Sequence, residues 1–134
     1  MANWIIVVDD DATTLKLAGH LLSKAGYRVT ALQSGRIAID YVRRNGVPDL
    51  FLLDVNMPDL DGFQTLNLLK KEMAPGQEVP VAFLTAENRH EQEARGLESG
   101  AMDYIKKPII PEILLLRVNH ILELVKFRKR FNKR

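Results

Sequence analysis

Cysteine is absent from this chain, which removes a disulfide framework and every thiolate metal site at once. Histidine is scarce. His20, His90 and His120 are scattered along the chain, a distribution that argues against zinc or another soft metal. Long hydrophobic runs are missing: the longest, Trp4 to Val8, falls far short of the ~20 residues needed to span a bilayer. No secretion signal is expected, because the first basic residue is Lys16 and the first apolar stretch runs straight into acids. The chain reads as cytoplasmic, with no membrane partner.

What is present fits one globular domain. The 134 residues are 46% apolar and 27% charged, a balance that excludes a disordered or fibrous chain. The net charge of +2 conceals an asymmetry. Residues 126–134, KFRKRFNKR, carry six of the 19 basic residues and no acid, so the remainder holds 13 bases against 17 acids. An acidic body with a basic tail is the apt description, and a nucleic-acid interface would have to rest on that tail alone.

Short β-rich apolar runs alternate with stretches of helical period. Residues 4–8, 27–31, 50–53, 81–84 and 102–105 are the strand candidates, mostly bounded by Gly, Pro or Asp. Leu15, Ala18, Leu22 and Ala25 keep one helical face before Gly26 stops it. A second helix is predicted over 35–44, ending near Asn45-Gly46, and a third over 62–71. Residues 88–98 give the weakest helical pattern, with only Ala94 and Leu97 as apolar anchors. Pro111 opens the last helix, with Glu112 in its first turn. Alternation of this kind implies an α/β domain whose parallel sheet is covered on both faces, and runs such as WIIVV and LFLL agree.

In open parallel sheets, chemistry gathers outside the carboxyl ends of the strands. Here the first candidate strand runs into Asp9, Asp10 and Asp11, the third into Asp54, the fourth into Thr85, and the fifth reaches Lys107-Pro108. Right-handed crossovers would bring these ends to one rim. Carboxylates gathered there repel one another, and Lys107 alone cannot neutralise them. A hard divalent cation with oxygen ligands, Mg2+ with several waters retained, would restore the balance. Mg2+, carboxylates, a hydroxyl and a lysine suit phosphoryl transfer, where positioning and charge neutralisation dominate. A carboxylate can itself be the nucleophile, giving an acyl phosphate.

The pieces VVDDD (7–11), LLDVNMPDLDG (52–62), FLTAEN (83–88) and YIKKP (104–108) together resemble the receiver domain of bacterial two-component response regulators, in register from about residue 4 to 118. The resemblance implies a flavodoxin-like, doubly wound, five-stranded parallel sheet of order 2-1-3-4-5. It implies that Asp54 is the phosphoacceptor, and that Asp9 and Asp10, with Asp54 and the main-chain carbonyl of Asn56, hold Mg2+. Thr85 resembles the hydroxyl that moves to the phosphoryl group, Lys107 the cation paired with it, and Tyr104 the aromatic switch residue. The Lys107–Pro108 bond is cis in that family. The implied function is a phospho-switch: a histidine kinase or phosphotransfer protein donates to Asp54, and the domain changes conformation to control a partner or output domain. Asn56 and Glu87 are positions where the family tunes the lifetime of the acyl phosphate.

Each residue has a plainer role open to it. Asp54 is also suited to a turn or helix cap after a strand, Thr85 to an ordinary strand end, and Tyr104 to a half-buried strand position. Asp11 is expected to cap the first helix, Asp59 and Asp61 to form the turn before Gly62, and Met57-Pro58 to shape the loop beside Asp54. Of Lys106 and Lys107, alternation sends one to solvent, and Lys107, directly before Pro108, is expected to face inward. The histidines are expected on helix surfaces rather than in a phosphorelay. A metabolite phosphatase with an aspartyl nucleophile is the competing class. Such enzymes usually place a second acid two residues beyond the nucleophile, where this chain has Asn56, and the chain lacks room for a substrate-closing cap. It is therefore expected not to be an enzyme beyond its own phosphorylation and dephosphorylation.

The last helix, if continuous from Pro111 to about Lys133, would span ~35 Å at ~1.5 Å per residue, more than one small sheet requires. Leu114, Val118, Ile121 and Val125 form a stripe fit for the sheet, whereas Leu116, Leu124, Phe127 and Phe131 leave apolar surface elsewhere. We divide the chain into a receiver body, 1–120, and an extension, 121–134. Two readings of the extension stand: a frayed, solvated tail after residue 125, or a coiled-coil stalk that joins two chains or leads to an output domain. Dimerisation would use this helix and the face made by the fourth helix, the fifth strand and the last helix. Residues 96–126 look most like receivers that precede cyclic-di-GMP synthase or hydrolase domains.

Overall fold

A computed structural model describes residues 2–86 and 102–132, with side chains in the last helix as far as residue 129. The expected helix over 88–98, with His90, and the position Glu87 lie outside the described residues. Five strands, β1 (Trp4–Val8), β2 (Arg28–Leu32), β3 (Leu50–Asp54), β4 (Val81–Thr85) and β5 (Asp103–Lys106), form one parallel sheet in the order β2-β1-β3-β4-β5. The helices are α1 (Ala12–Lys24), α2 (Gly35–Asn45), α3 (Gly62–Lys71) and the long C-terminal α4 (Pro111–Asn132).

Strand alternation sorts the core into two layers. Ile5, Val7, Leu50, Leu52, Ala82, Leu84 and Ile105 face α1 and α4, meeting Leu15, Ala18 and Leu22 of the first and Leu114, Val118 and Ile121 of the second. Ile6, Val8, Phe51, Leu53, Val81, Phe83 and Tyr104 face the other way, onto Ala38, Ile39 and Val42 of α2 and Phe63, Leu66 and Leu69 of α3. Burial on both faces explains why β1, β3 and β4 read as continuous apolar runs. β2, at the edge, is only half covered.

Local chemistry sets the ends of the elements. Asp11 caps α1, its carboxylate accepting from the Thr13 N–H at 3.1 Å and the Thr14 hydroxyl at 2.8 Å. Ser34 caps α2 by accepting from the Ile37 N–H, and Asp61 and Gln64 form a reciprocal capping box at the start of α3. Gly26, at φ 100°, turns the chain after α1. The expected strand over 27–31 begins one residue later, because the Tyr27 N–H is spent on the Leu22 carbonyl at the exit of α1. On α4 the buried stripe continues through Ile121 and Leu122, while Ile113, Leu116, Leu124 and Phe127 are exposed.

Candidate functional site

Parallel strands deliver their C-terminal residues to one rim, so Asp54, the last residue of β3, arrives between Asp9, which follows β1, and Thr85, the last residue of β4. Asp9, Asp54 and Thr85 are buried, at 0%, 3% and 2% exposure. Asp10 is exposed at the mouth. One carboxylate oxygen from each of Asp9, Asp10 and Asp54 lies within 4.8 Å of the others. Lys107, and not Lys106, faces inward: its Nζ is 2.7 Å from Asp9 Oδ2 and 3.0 Å from Asp54 Oδ1. The Lys107–Pro108 peptide is cis.

Backbone bonds stitch the rim together. The Lys107 N–H donates to the Thr85 carbonyl at 2.8 Å, and the Val55 N–H to the Leu84 carbonyl at 3.0 Å. Asp9 Oδ1 accepts from the Asp11 N–H at 2.9 Å, and Asp54 Oδ1 from the Asn56 N–H at 3.3 Å. Asp11 itself is turned to its capping role, where the Thr14 hydroxyl and Thr13 N–H hold its carboxyl below the ordinary carboxylate range.

Three carboxylates and one ammonium do not balance. Burial pushes the Asp54 carboxyl up to about 7; Lys107 opposes the shift, while Asp9 and Asp10 add to it. Lys107 is held above its ordinary value: burial works against the ammonium, but its contacts with Asp9 and Asp54 outweigh that. Asp9 Oδ2, fully buried, makes no well-directed hydrogen bond, and the charge contact with Lys107 is what it has. Oxygen donors, a surplus of negative charge and a buried oxygen met by the Lys107 ammonium without a well-directed hydrogen bond together fit a hard divalent cation.

Tyr104 is 8% exposed and lies inward in a ring stack, its centroid 5.7 Å from that of Phe83, which is 4.6 Å from Phe63. It is thus more deeply buried than an ordinary half-covered strand aromatic. His20 and His120 are exposed on α1 and α4, away from the rim.

One contributor escaped the sequence reading. A Cβ on Gly62 would lie 2.5 Å from the Asp54 carbonyl oxygen and 3.0 Å from Val55 Cα, so only glycine lets α3 start directly against the strand end that carries Asp54. The Gly62 N–H also donates to the Val55 carbonyl at 2.9 Å. The signal available was the glycine closing the DLDG turn.

Comparison with known proteins agrees with this geometry. The response regulator receiver domain family matches residues 5–119. The phosphate regulon transcriptional regulatory protein PhoB of Klebsiella pneumoniae is 36% identical over 122 residues, covering 91% of this chain and 52% of PhoB. Response regulator MprA of Mycolicibacterium vanbaalenii is 38% identical over 118 residues, 88% of this chain and 49% of MprA. The chain thus spans about half the length of these relatives. The crystal structure of a CheY-like response regulator receiver domain protein from Methanospirillum hungatei superposes with a TM-score of 0.84 at 26% identity, covering 96% of this chain and 99% of that one. The chain belongs to the response regulator receiver domain family.

Proposed function

We propose that Asp54 accepts the phosphoryl group in this receiver and that the rim around it is the switch. The observation that carries this reading is the placement of Asp54 at a strand end, buried, with Lys107 on one oxygen and two further acids within 4.8 Å. One carboxylate oxygen attacks phosphorus; the new P–O bond forms as the bond to the donor breaks, and the donor leaves with its electron pair. Mg2+ would be held by Asp9, Asp10, Asp54 and the main-chain carbonyl of Asn56, and when bound would supply neutralisation of the charge gathered there. The chain's own part is to place the nucleophile and to hold Lys107 beside it.

Phosphorylation adds roughly −1.5 to −2 charge at Asp54. That charge draws the Lys107 ammonium from Asp9 toward the new oxygens and attracts the Thr85 hydroxyl. Movement at Thr85 reaches Lys107 through the 2.8 Å backbone bond between them, and reaches β5, where Tyr104 packs on Phe83. The readout is a shift between two packings of this edge rather than a new fold. In this reading the donor is a histidine kinase or phosphotransfer protein, and the chain turns over no substrate but its own acyl phosphate. The output is a partner or an attached domain, with the cyclic-di-GMP class as the reading drawn from the last helix. A cytoplasmic setting belongs to the same proposal; among the described residues no helix is long and apolar enough to cross a membrane.

Incubation with acetyl phosphate and Mg2+, followed by intact mass, tests the reading. One phosphoryl adduct is expected, absent from Asp54→Asn and absent when a chelator replaces the metal. An adduct that persists in Asp54→Asn would falsify the assignment.

A further inference from the structure

At the end of the sheet opposite the rim, where β4 and β5 begin, the C-terminal turns of α3 and α4 flank a cavity of ≈ 640 Å3. That lies within the ~300–1,000 Å3 of ordinary ligand sites. Leu66, Pro80 and Val81, all buried, form its floor, and Met73, Met102 and Val125 are half-buried around them. The two methionines give it a soft, adaptable lining. A second cavity of ≈ 210 Å3 shares Glu78, Pro80, Val125 and Lys129 with the first, so the two run on as one trough beside α4.

The lip of the trough is basic. Around the larger cavity Lys70, Arg128 and Lys129, all exposed, stand against Glu78, the one acid among the described residues that line it. In the smaller cavity charge is spent locally: Asp49 accepts from the Trp4 N–H at 2.7 Å, and Lys126 faces Glu123 at 3.9 Å. The positive surplus therefore sits over the larger apolar floor. Helix C-termini attract cations on their own account, which explains basic residues at the ends of α3 and α4. It does not explain an apolar recess between them.

We propose that this trough is a docking site for an extended segment of another protein in which apolar and acidic side chains alternate. Side chains of an extended segment point to opposite sides in turn. Every second residue is then an apolar anchor over Leu66, Val81 and Met102, and the carboxylates between them turn up to Arg128 and Lys129 at the lip. Duplex nucleic acid would use the cations and leave the floor empty. An anionic bilayer takes apolar groups that protrude, whereas these are recessed. The site lies at the far end of the sheet from Asp54 and does not depend on the chemistry there.

NMR of the full chain with carbon-13 methyl methionine reads the site directly, because the methionines are Met1, Met57, Met73 and Met102. The probe is a peptide of about nine residues alternating leucine and glutamate, ~30 Å long when extended. In ~0.15 M salt, where distant charges are screened, it is expected to shift Met73 and Met102 saturably and to leave Met57, in the loop after Asp54, in place. Arg128→Glu combined with Lys129→Glu should weaken binding by about tenfold, and Lys16→Glu combined with Lys24→Glu, the same charge change on α1, by less than about twofold. Ala74→Trp, at an exposed position on the lip, should weaken it by about tenfold with thermal unfolding unchanged. A peptide with serine in place of leucine should bind about tenfold more weakly. No shift at Met73 and Met102 up to ~1 mM peptide, equal losses in the two charge variants, or undiminished binding by Ala74→Trp or by the serine peptide each overturns the proposal. So does the same pair of shifts produced by duplex DNA, by phosphatidylserine vesicles, or by raising the protein concentration alone.

Discussion

Two sets of ion pairs in this molecule both join a basic side chain to a carboxylate and behave differently. At the rim, Lys107 contacts Asp9 and Asp54 with side-chain exposures of 17%, 0% and 4%. On the outer side of α2, Arg36 pairs with Asp59, Arg43 with Glu72 and Arg44 with Asp40, and the three arginines are 69%, 60% and 75% exposed. Water and salt screen the outer set, and the entropy of holding long side chains offsets what remains. Little screens the rim. Removing a partner there leaves charge without solvent or counter-charge, so the rim is where an added phosphoryl charge can move the structure.

The contrast is tested hardest at Lys107. Lys107→Met strands two buried carboxylates in a site with no other cation in contact with them among the described residues. At pH 8 without divalent ions, urea denaturation should show a loss of about 3 kcal/mol, at the lower end for a broken buried pair because the rim is open at Asp10. A loss no larger than that of an outer-face variant would erase the distinction between the two sets.

Asp54 sharpens the comparison with the opposite sign. Its folded-state pKa, raised from 3.8 to about 7, means that folding favours the protonated form. The stabilising contribution of this group is complete below the unfolded value of 3.8 and is lost as pH rises through about 7. Asp54→Asn removes the penalty, so in chelator at pH 8 the variant should be more stable than the parent by about 2 kcal/mol, the gain shrinking as pH is lowered. Adding Mg2+ should stabilise the parent and largely spare the variant, narrowing or reversing their order. Urea midpoints at pH 8 and 5.5, with and without Mg2+, check both parts. A variant less stable than the parent in chelator at pH 8 contradicts the electrostatic account of the rim.

The alternation of apolar runs with helical stretches, read with Asp and Gly at the junctions, was enough to locate most elements, because each boundary is set by nearby atoms. α3 spans 62–71 as expected because Asp61 and Gln64 cap it locally. The family likeness added the sheet order, which no local pattern encodes. What stayed hidden depends on atoms distant in sequence. Gly62 read as no more than the first residue of the third helix, and only the packed sheet shows α3 starting against the Asp54 carbonyl. Tyr104 was equally compatible with a half-covered strand position; only the packed fold puts Phe83 beside it, with Phe63 stacked behind Phe83. That Lys107 reaches two carboxylates at once is likewise a property of three strand ends meeting.

The smallest effect is expected at Arg36. Its guanidinium holds the Asp59 carboxyl below the ordinary range, yet both side chains are more than half exposed, so the attraction competes with water on every side. Asp59 has φ 71°, a left-handed setting that aspartate tolerates better than most residues, and the neighbouring turn is held by the Leu60 N–H on the Pro58 carbonyl at 2.9 Å. The turn therefore has support that does not pass through Arg36. Arg36→Ala should leave the urea midpoint and the yield of the acetyl phosphate reaction unchanged within the scatter of repeats. A clear loss that disappears in high salt would mean that an exposed pair restrains the loop next to Asp54. Proximity to the nucleophile's loop, rather than burial alone, would then decide which ion pairs matter in this domain.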